Sequence, residues 1–141
     1  MIKVFTVVTA FVILSSVAHT TTHVRYTHQQ TELEKSIARG KDIYTEFCVT
    51  CHLPNGKGIA PAFPPLDESD WLTGDRTKAI RAVKYGIKGE ITVNGITYNN
   101  LMTTLGLYDD EVADVINYIS NSWSNTNTQL VTEKEVQAIK E

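Results

Sequence analysis

Apolar residues run almost unbroken only at the start of the chain, from about Val4 to Val17. Lys3 precedes that run, and Ser16 and Ala18 follow the small-residue spacing of a signal-peptidase site. The run falls short of the roughly 20 residues that a bilayer span takes. Residues 1–18 are therefore expected to be a cleaved export signal. An uncleaved N-terminal anchor stays open as the alternative, because helix tilt and bilayer thinning soften the length limit. Residues 19–32, beginning HTTTHVRYTHQQT, are polar without a period and predict a flexible leader.

Beyond the leader the pattern becomes helical. Leu33, Ile37, Tyr44 and Phe47 fall near one face over residues 32–47, with Gly40 between them. Residues 53–70 hold all four prolines and two glycines, which predicts an irregular wrapping loop. Ala79, Ile80 and Val83 mark a short helix over residues 76–85. Residues 91–99, ITVNGITYN, are two alternating runs around Asn94-Gly95, a type I′ hairpin signal. Residues 109–122 open with three acidic residues, which suit a helix N-terminus, and continue with Val112, Val115, Ile116 and Ile119 on one stripe. Trp123 closes that helix. In the tail, Thr132 and Glu135 are spaced as a capping box before Val136 and Ile139, predicting one more short helix. The fold class is mostly α.

The length, 141 residues, suits one compact domain, expected over residues 33–123, with a tail over 124–141. A body of that size is marginal on apolar burial alone and often relies on a covalent or cofactor staple. The formal charge is −3, and removal of residues 1–18 takes Lys3 and leaves −4. Such a balance gives no support for nucleic-acid or anionic-membrane binding, and no membrane insertion of the mature chain is expected. His19, His23 and His28 all lie in the leader and read as a solvated tract, with metal binding as the other reading.

The chemistry concentrates in EFCVTCHLPNGKG, residues 46–58, which contains both cysteines. Three chemistries use such a pair. Zinc wants four ligands and usually a second pair, which this chain lacks. A thiol–disulfide oxidoreductase wants its first cysteine at a helix N-terminus, where the dipole lowers the thiol pKa. Here the pair follows a predicted helix. The third chemistry is covalent haem attachment, for which C-x-x-C-H is the recognised signal. Cys48 and Cys51 would then form thioethers to one edge of the porphyrin, and His52 would ligate the iron from below. Apart from the initiator the chain has one methionine, Met102, in YNNLMTTLGL, and no histidine after His52. As core filler a methionine is ordinary. Beside CVTCH it becomes the candidate sixth ligand, and a thioether there raises the reduction potential as an electron carrier needs.

From about Ala38 to Trp123 the chain resembles the class I monohaem c-type cytochromes. Gly40 and Tyr44, eight and four residues before Cys48, match the positions where that family's first helix crosses its last, and Tyr118 looks like their partner. NGKG and FPPL are similar to the family's haem-wrapping loop. The resemblance implies N- and C-terminal helices crossing over one covalent haem c, with a hairpin before the distal loop. It implies that the Pro64 carbonyl accepts the Nδ1 hydrogen of His52, and that Leu66, Trp71, Ile80 and Ile119 face the haem or its pocket. ITVNGITYNNLM is especially similar to haem domains that accompany bacterial copper nitrite reductases and quinoprotein dehydrogenases. Two residues depart from the pattern. Thr103 stands where many relatives have proline, which leaves the ligand loop less rigid. Tyr108 stands where many have serine or threonine, so Asp109 is expected to cap the last helix.

The implied function is electron transfer by an exported, periplasmic or similarly located protein. It would not be an enzyme itself, and would work as a free carrier between redox partner proteins or as the haem subunit of an oxidoreductase. The alternative is a haem enzyme or gas sensor with an open sixth position.

Overall fold

The computed structural model describes residues 30–141; the expected export signal, most of the leader and His19, His23 and His28 lie outside the described residues. Helix α1 spans Glu32–Ile43. Thr31 Oγ1 accepts from the Glu34 N–H (3.2 Å) while Glu34 Oε2 accepts from the Thr31 N–H (2.7 Å), a reciprocal cap that starts the helix inside the expected leader. α1 runs into a π-helical turn, Tyr44–Cys48, and then a four-residue helix α2, Val49–His52. The wrapping loop ends earlier than expected, in a short helix α3, Asp70–Gly74, capped by Ser69 Oγ on the Leu72 N–H (3.2 Å). α4, Arg76–Tyr85, is capped by Asp75 Oδ1 on the N–H groups of Thr77 and Lys78 (2.9 and 3.2 Å).

Strands β1, Ile91–Val93, and β2, Ile96–Tyr98, pair antiparallel with Val93 opposite Ile96 and Ile91 opposite Tyr98. Asn94 and Gly95 both have positive φ (50° and 77°), the conformation a type I′ turn demands. α5 spans Asp109–Ile119 and α6 spans Glu133–Ala138. Asp109 does not cap α5. Tyr108 takes the cap position, its N–H donating to Glu111 Oε2 (2.8 Å), while the Asp109 carboxylate pairs with Lys84 (2.8 Å).

α5 touches α1, α4 and α6. Its stripe Val112, Val115, Ile116 and Ile119 is buried together with Tyr44, Leu72 and Ile80. α1 crosses α5 at Gly40, where a Cβ would lie 2.5 Å from the Asp114 carbonyl carbon. Beside the crossing is a buried polar chain. Arg39 pairs with the Asp114 carboxylate, Ser36 Oγ donates to Asp114 Oδ1 (2.6 Å), and Asn117 Nδ2 donates to Ser36 Oγ (2.8 Å). Asn117 also exchanges two hydrogen bonds with the Val131 backbone (both 2.8 Å). The tail is therefore part of the same core, with Val131 and Val136 at 2 % and 0 % exposure.

Removing the Asn117 carboxamide leaves a buried N–H and a buried C=O of Val131 without partners. Such groups cost about 1–3 kcal/mol each. Asn117→Ala is expected to release the tail first, and limited proteolysis should cut residues 124–132 at a concentration of protease that leaves the wild type intact. Equal resistance would mean that the tail is held by Val136 alone.

Candidate haem site

The π turn decides how CVTCH is presented. An i→i+5 turn carries about one residue more than an α turn, so Val49, whose N–H donates to the Tyr44 carbonyl, closes the turn and Phe47 is rotated outward. Cys48 packs half-buried against the core cluster, and Phe47, expected on the buried face, is 40 % exposed. His52 ends α2 and is buried. Its Nδ1 lies 3.0 Å from the Pro64 carbonyl, where the resemblance placed its partner. Donation from Nδ1 fixes the ring and the tautomer and leaves the Nε2 lone pair free. Burial lowers the His52 pKa and the Pro64 carbonyl opposes that shift, so the imidazole is held in the neutral form a metal needs.

The Pro64 carbonyl reaches His52 because the loop folds tightly on itself. Gly58, at φ +59°, donates its N–H to the His52 carbonyl (3.1 Å), and a Cβ there would run into the carbonyls of Phe63 and Pro64. Leu66 and Asp67 both donate to the Gly56 carbonyl (2.7 and 3.0 Å). Three aromatic rings brace this loop from behind, with the Tyr44 ring centroid 5.4 Å from that of Tyr118, tilted, and 5.4 Å from that of Trp123, edge-on. Tyr44 Oη donates to the Leu53 carbonyl (2.6 Å) and Trp123 Nε1 to that of Pro54 (2.9 Å).

In front of His52 lies an apolar cavity of about 600 Å³, counting the space open to solvent, with a second of about 470 Å³, counted the same way, adjoining it. His52, Pro64, Ile87, Ile91 and Met102 border both. Cys48 borders the first and Cys51 the second. The structure thus brings all five expected site residues to one double cavity. Leu66, Trp71 and Ile119 line it as well, but Ile80 does not. It is fully buried in the core cluster, because the α4 face carrying Ile80 points into α5 while Ala82 and Val83 turn to the cavity. Among the described residues no carboxylate or amine lines either cavity.

Thr103 leaves the Met102 loop less free than expected. Ile87 donates to the Met102 carbonyl (2.8 Å) and accepts from its N–H (3.0 Å), which pins the loop across the end of α4. Sequence reasoning missed Ile87 and Asn100, whose Nδ2 donates to the Ala62 carbonyl (2.9 Å). A lone isoleucine after Gly86 gave no periodic signal. The size, the apolar lining and the donor set of two cysteines, a neutral histidine and a thioether together fit a haem.

A model of the cytochrome c family matches residues 37–123. This chain belongs to the cytochrome c family. A cytochrome c-552 of Thermus thermophilus is 40 % identical over 93 residues, covering 62 % of this chain and 70 % of that protein. The cytochrome c subunit of a quinone alcohol dehydrogenase from Gluconobacter oxydans is 26 % identical over 110 residues, covering 72 % of this chain and 22 % of that protein. The FixP subunit of a cbb3-type cytochrome c oxidase from Bradyrhizobium diazoefficiens is 31 % identical over 87 residues, covering 58 % of this chain and 29 % of that protein. This cytochrome spans less than a third of the length of either subunit relative. Its cofactor is haem c, held covalently as throughout the family. The thiol environment agrees with that assignment over redox catalysis. Burial, and then the neighbouring Cys51, push the Cys48 thiol up to about 11, whereas a disulfide oxidoreductase needs it lowered.

Proposed function

We propose that this cytochrome is an exported electron-transfer protein. In this reading Cys48 and Cys51 form the thioethers, His52 and Met102 are the axial iron ligands, and Pro64 fixes the His52 ring. The observation that carries it is the shared position of a tautomer-fixed His52 and a thioether on one apolar double cavity. Haem c bound there supplies a one-electron couple at its iron. The residues do the rest. His52 Nε2 and Met102 Sδ would hold the iron. The Leu66, Trp71, Ile91 and Ile119 side chains keep water and counter-charge away from the metal, which favours the reduced form and raises the potential.

Export is proposed from the Lys3–Ala18 pattern, and among the described residues no helix is long and apolar enough to cross a membrane. A partner role as free carrier or haem subunit follows the relatives, which include both. The test is the absorption spectrum of protein made with a haem-attachment system. A low-spin c-type spectrum with the weak long-wavelength ferric band of methionine ligation is expected. Covalent haem with a high-spin spectrum would instead leave an open sixth position and turn the reading toward ligand binding or catalysis.

A further inference from the structure

Nothing within residues 99–108 fixes their own path. The segment has no proline, carries Gly106 at φ +70°, and forms no helix, its last strand contact ending at Tyr98. Asn100 Nδ2 ties its start to the Ala62 carbonyl (2.9 Å), and the two anchors nearest Met102 converge on one place. Met102 exchanges its two backbone hydrogen bonds with Ile87, and Thr104 Oγ1 donates to the Lys84 carbonyl (3.3 Å). Both anchors sit at the C-terminal end of α4.

That end of α4 is itself tied to the tail. Lys84 Nζ donates to Asp109 Oδ1 (2.8 Å) and to the Val136 carbonyl (2.9 Å), with only 16 % of its side chain exposed. Tyr85 Oη donates to the Ile139 carbonyl (3.0 Å). Asp109 is the first residue of α5, where the 99–108 segment ends. Lys84 thus joins the platform under Met102, the helix at which its segment stops, and α6. Bonds from an ammonium to a carboxylate and a carbonyl are stronger than neutral ones, and more so when water is mostly withheld.

We propose that Lys84 is a positioning residue for Met102: clamped between Asp109 and the tail at Val136, it sets how readily the 99–108 segment opens and an external ligand displaces the sulfur. The inference rests on the ligation by Met102 proposed above. Local openings draw on whichever attachments are weakest, independently of global stability. For the Met102 sulfur to leave, either the two bonds to Ile87 break or the α4 end moves with them, and Lys84 opposes the second route.

The test uses ferric holo-protein titrated with imidazole, with the methionine band and the melting temperature recorded alongside. Lys84→Met keeps the aliphatic stem and removes the ammonium. It is expected to weaken the band and to raise imidazole affinity on the order of tenfold, about 1.4 kcal/mol of easier opening, and Lys84→Arg should recover most of the change. Should Lys84→Met fail to fold, Asp109→Asn carries the same expectation with a smaller rise. If band and affinity stay within about twofold of wild type while the protein melts earlier, Lys84 is only a structural tie and the proposal is overturned. An equal rise in Arg76→Gln, which loosens the same tail at Glu135 away from Met102, would overturn it too. A wild type without the methionine band overturns the ligation by Met102 itself, before any variant is made.

Discussion

Met102→Ala is expected to abolish the long-wavelength ferric band, lower the reduction potential and let carbon monoxide or imidazole bind the iron. The potential should fall on the order of 0.2 V, a fraction of the roughly 0.8 V range that axial ligands span. The cause is the thioether. It is a soft, uncharged ligand that favours ferrous over ferric iron, and water or hydroxide in its place reverses that preference. The variant should still fold. Met102 is only half-buried, and the bonds pinning its loop to Ile87 come from the backbone. Potentiometry with optical detection reads both effects in one experiment. An unchanged spectrum and potential would remove Met102 from the site.

Gly40→Ala should be strongly destabilising. On an exposed helix that change stabilises by about 1 kcal/mol. At Gly40 the added Cβ falls within the contact shell of the Asp114 carbonyl and 2.8 Å from the Tyr118 Cβ. The obstacle is backbone, so α1 and α5 have to part. Parting them strains the Arg39 and Ser36 bonds to Asp114 as well. Overpacking costs about 1–3 kcal/mol and a buried group losing its partner about as much again, so a loss of about 3 kcal/mol or more is expected. At roughly 4 °C per kcal/mol for a domain of about this size, the melting temperature of the holo-protein should fall by about 12 °C. A melting temperature equal to or above wild type would mean that the helices cross less closely than at Gly40 here.

What was legible in the sequence was whatever one residue or one short period dictates. Asn94-Gly95 announces its turn because few other pairs tolerate two positive φ values, and the Arg76–Tyr85 helix shows its stripe. The CVTCH run carries its chemistry in five letters. What was hidden depends on geometry that leaves no period. A π turn differs from α by one extra residue per turn, so Phe47 was placed inward and is outward. The resemblance implied that Ile80 faces the haem or its pocket, but it lies in the core cluster, and a helical stripe does not say which neighbour it faces. Asp114 and Asn117 are polar letters on α5 with no period to mark them, yet both are buried, each satisfied by partners on other segments of the chain. The Pro64 carbonyl was legible only through family likeness, since a backbone acceptor has no letter of its own.

The polar chain that runs from exposed Arg39 through buried Asp114 and Ser36 to Asn117 also bears on the order in which the molecule assembles. Its bonds join residues 78 and 81 positions apart. Contacts of that separation carry a large loop-closure cost and form late. Until residues 109–119 have been delivered, α1 has no surface on which to settle and Gly40 has nothing to press against. CVTCH lies on the early side of that interval. Before that docking, the segment that carries both thiols lacks the α5 stripe that completes the core behind it.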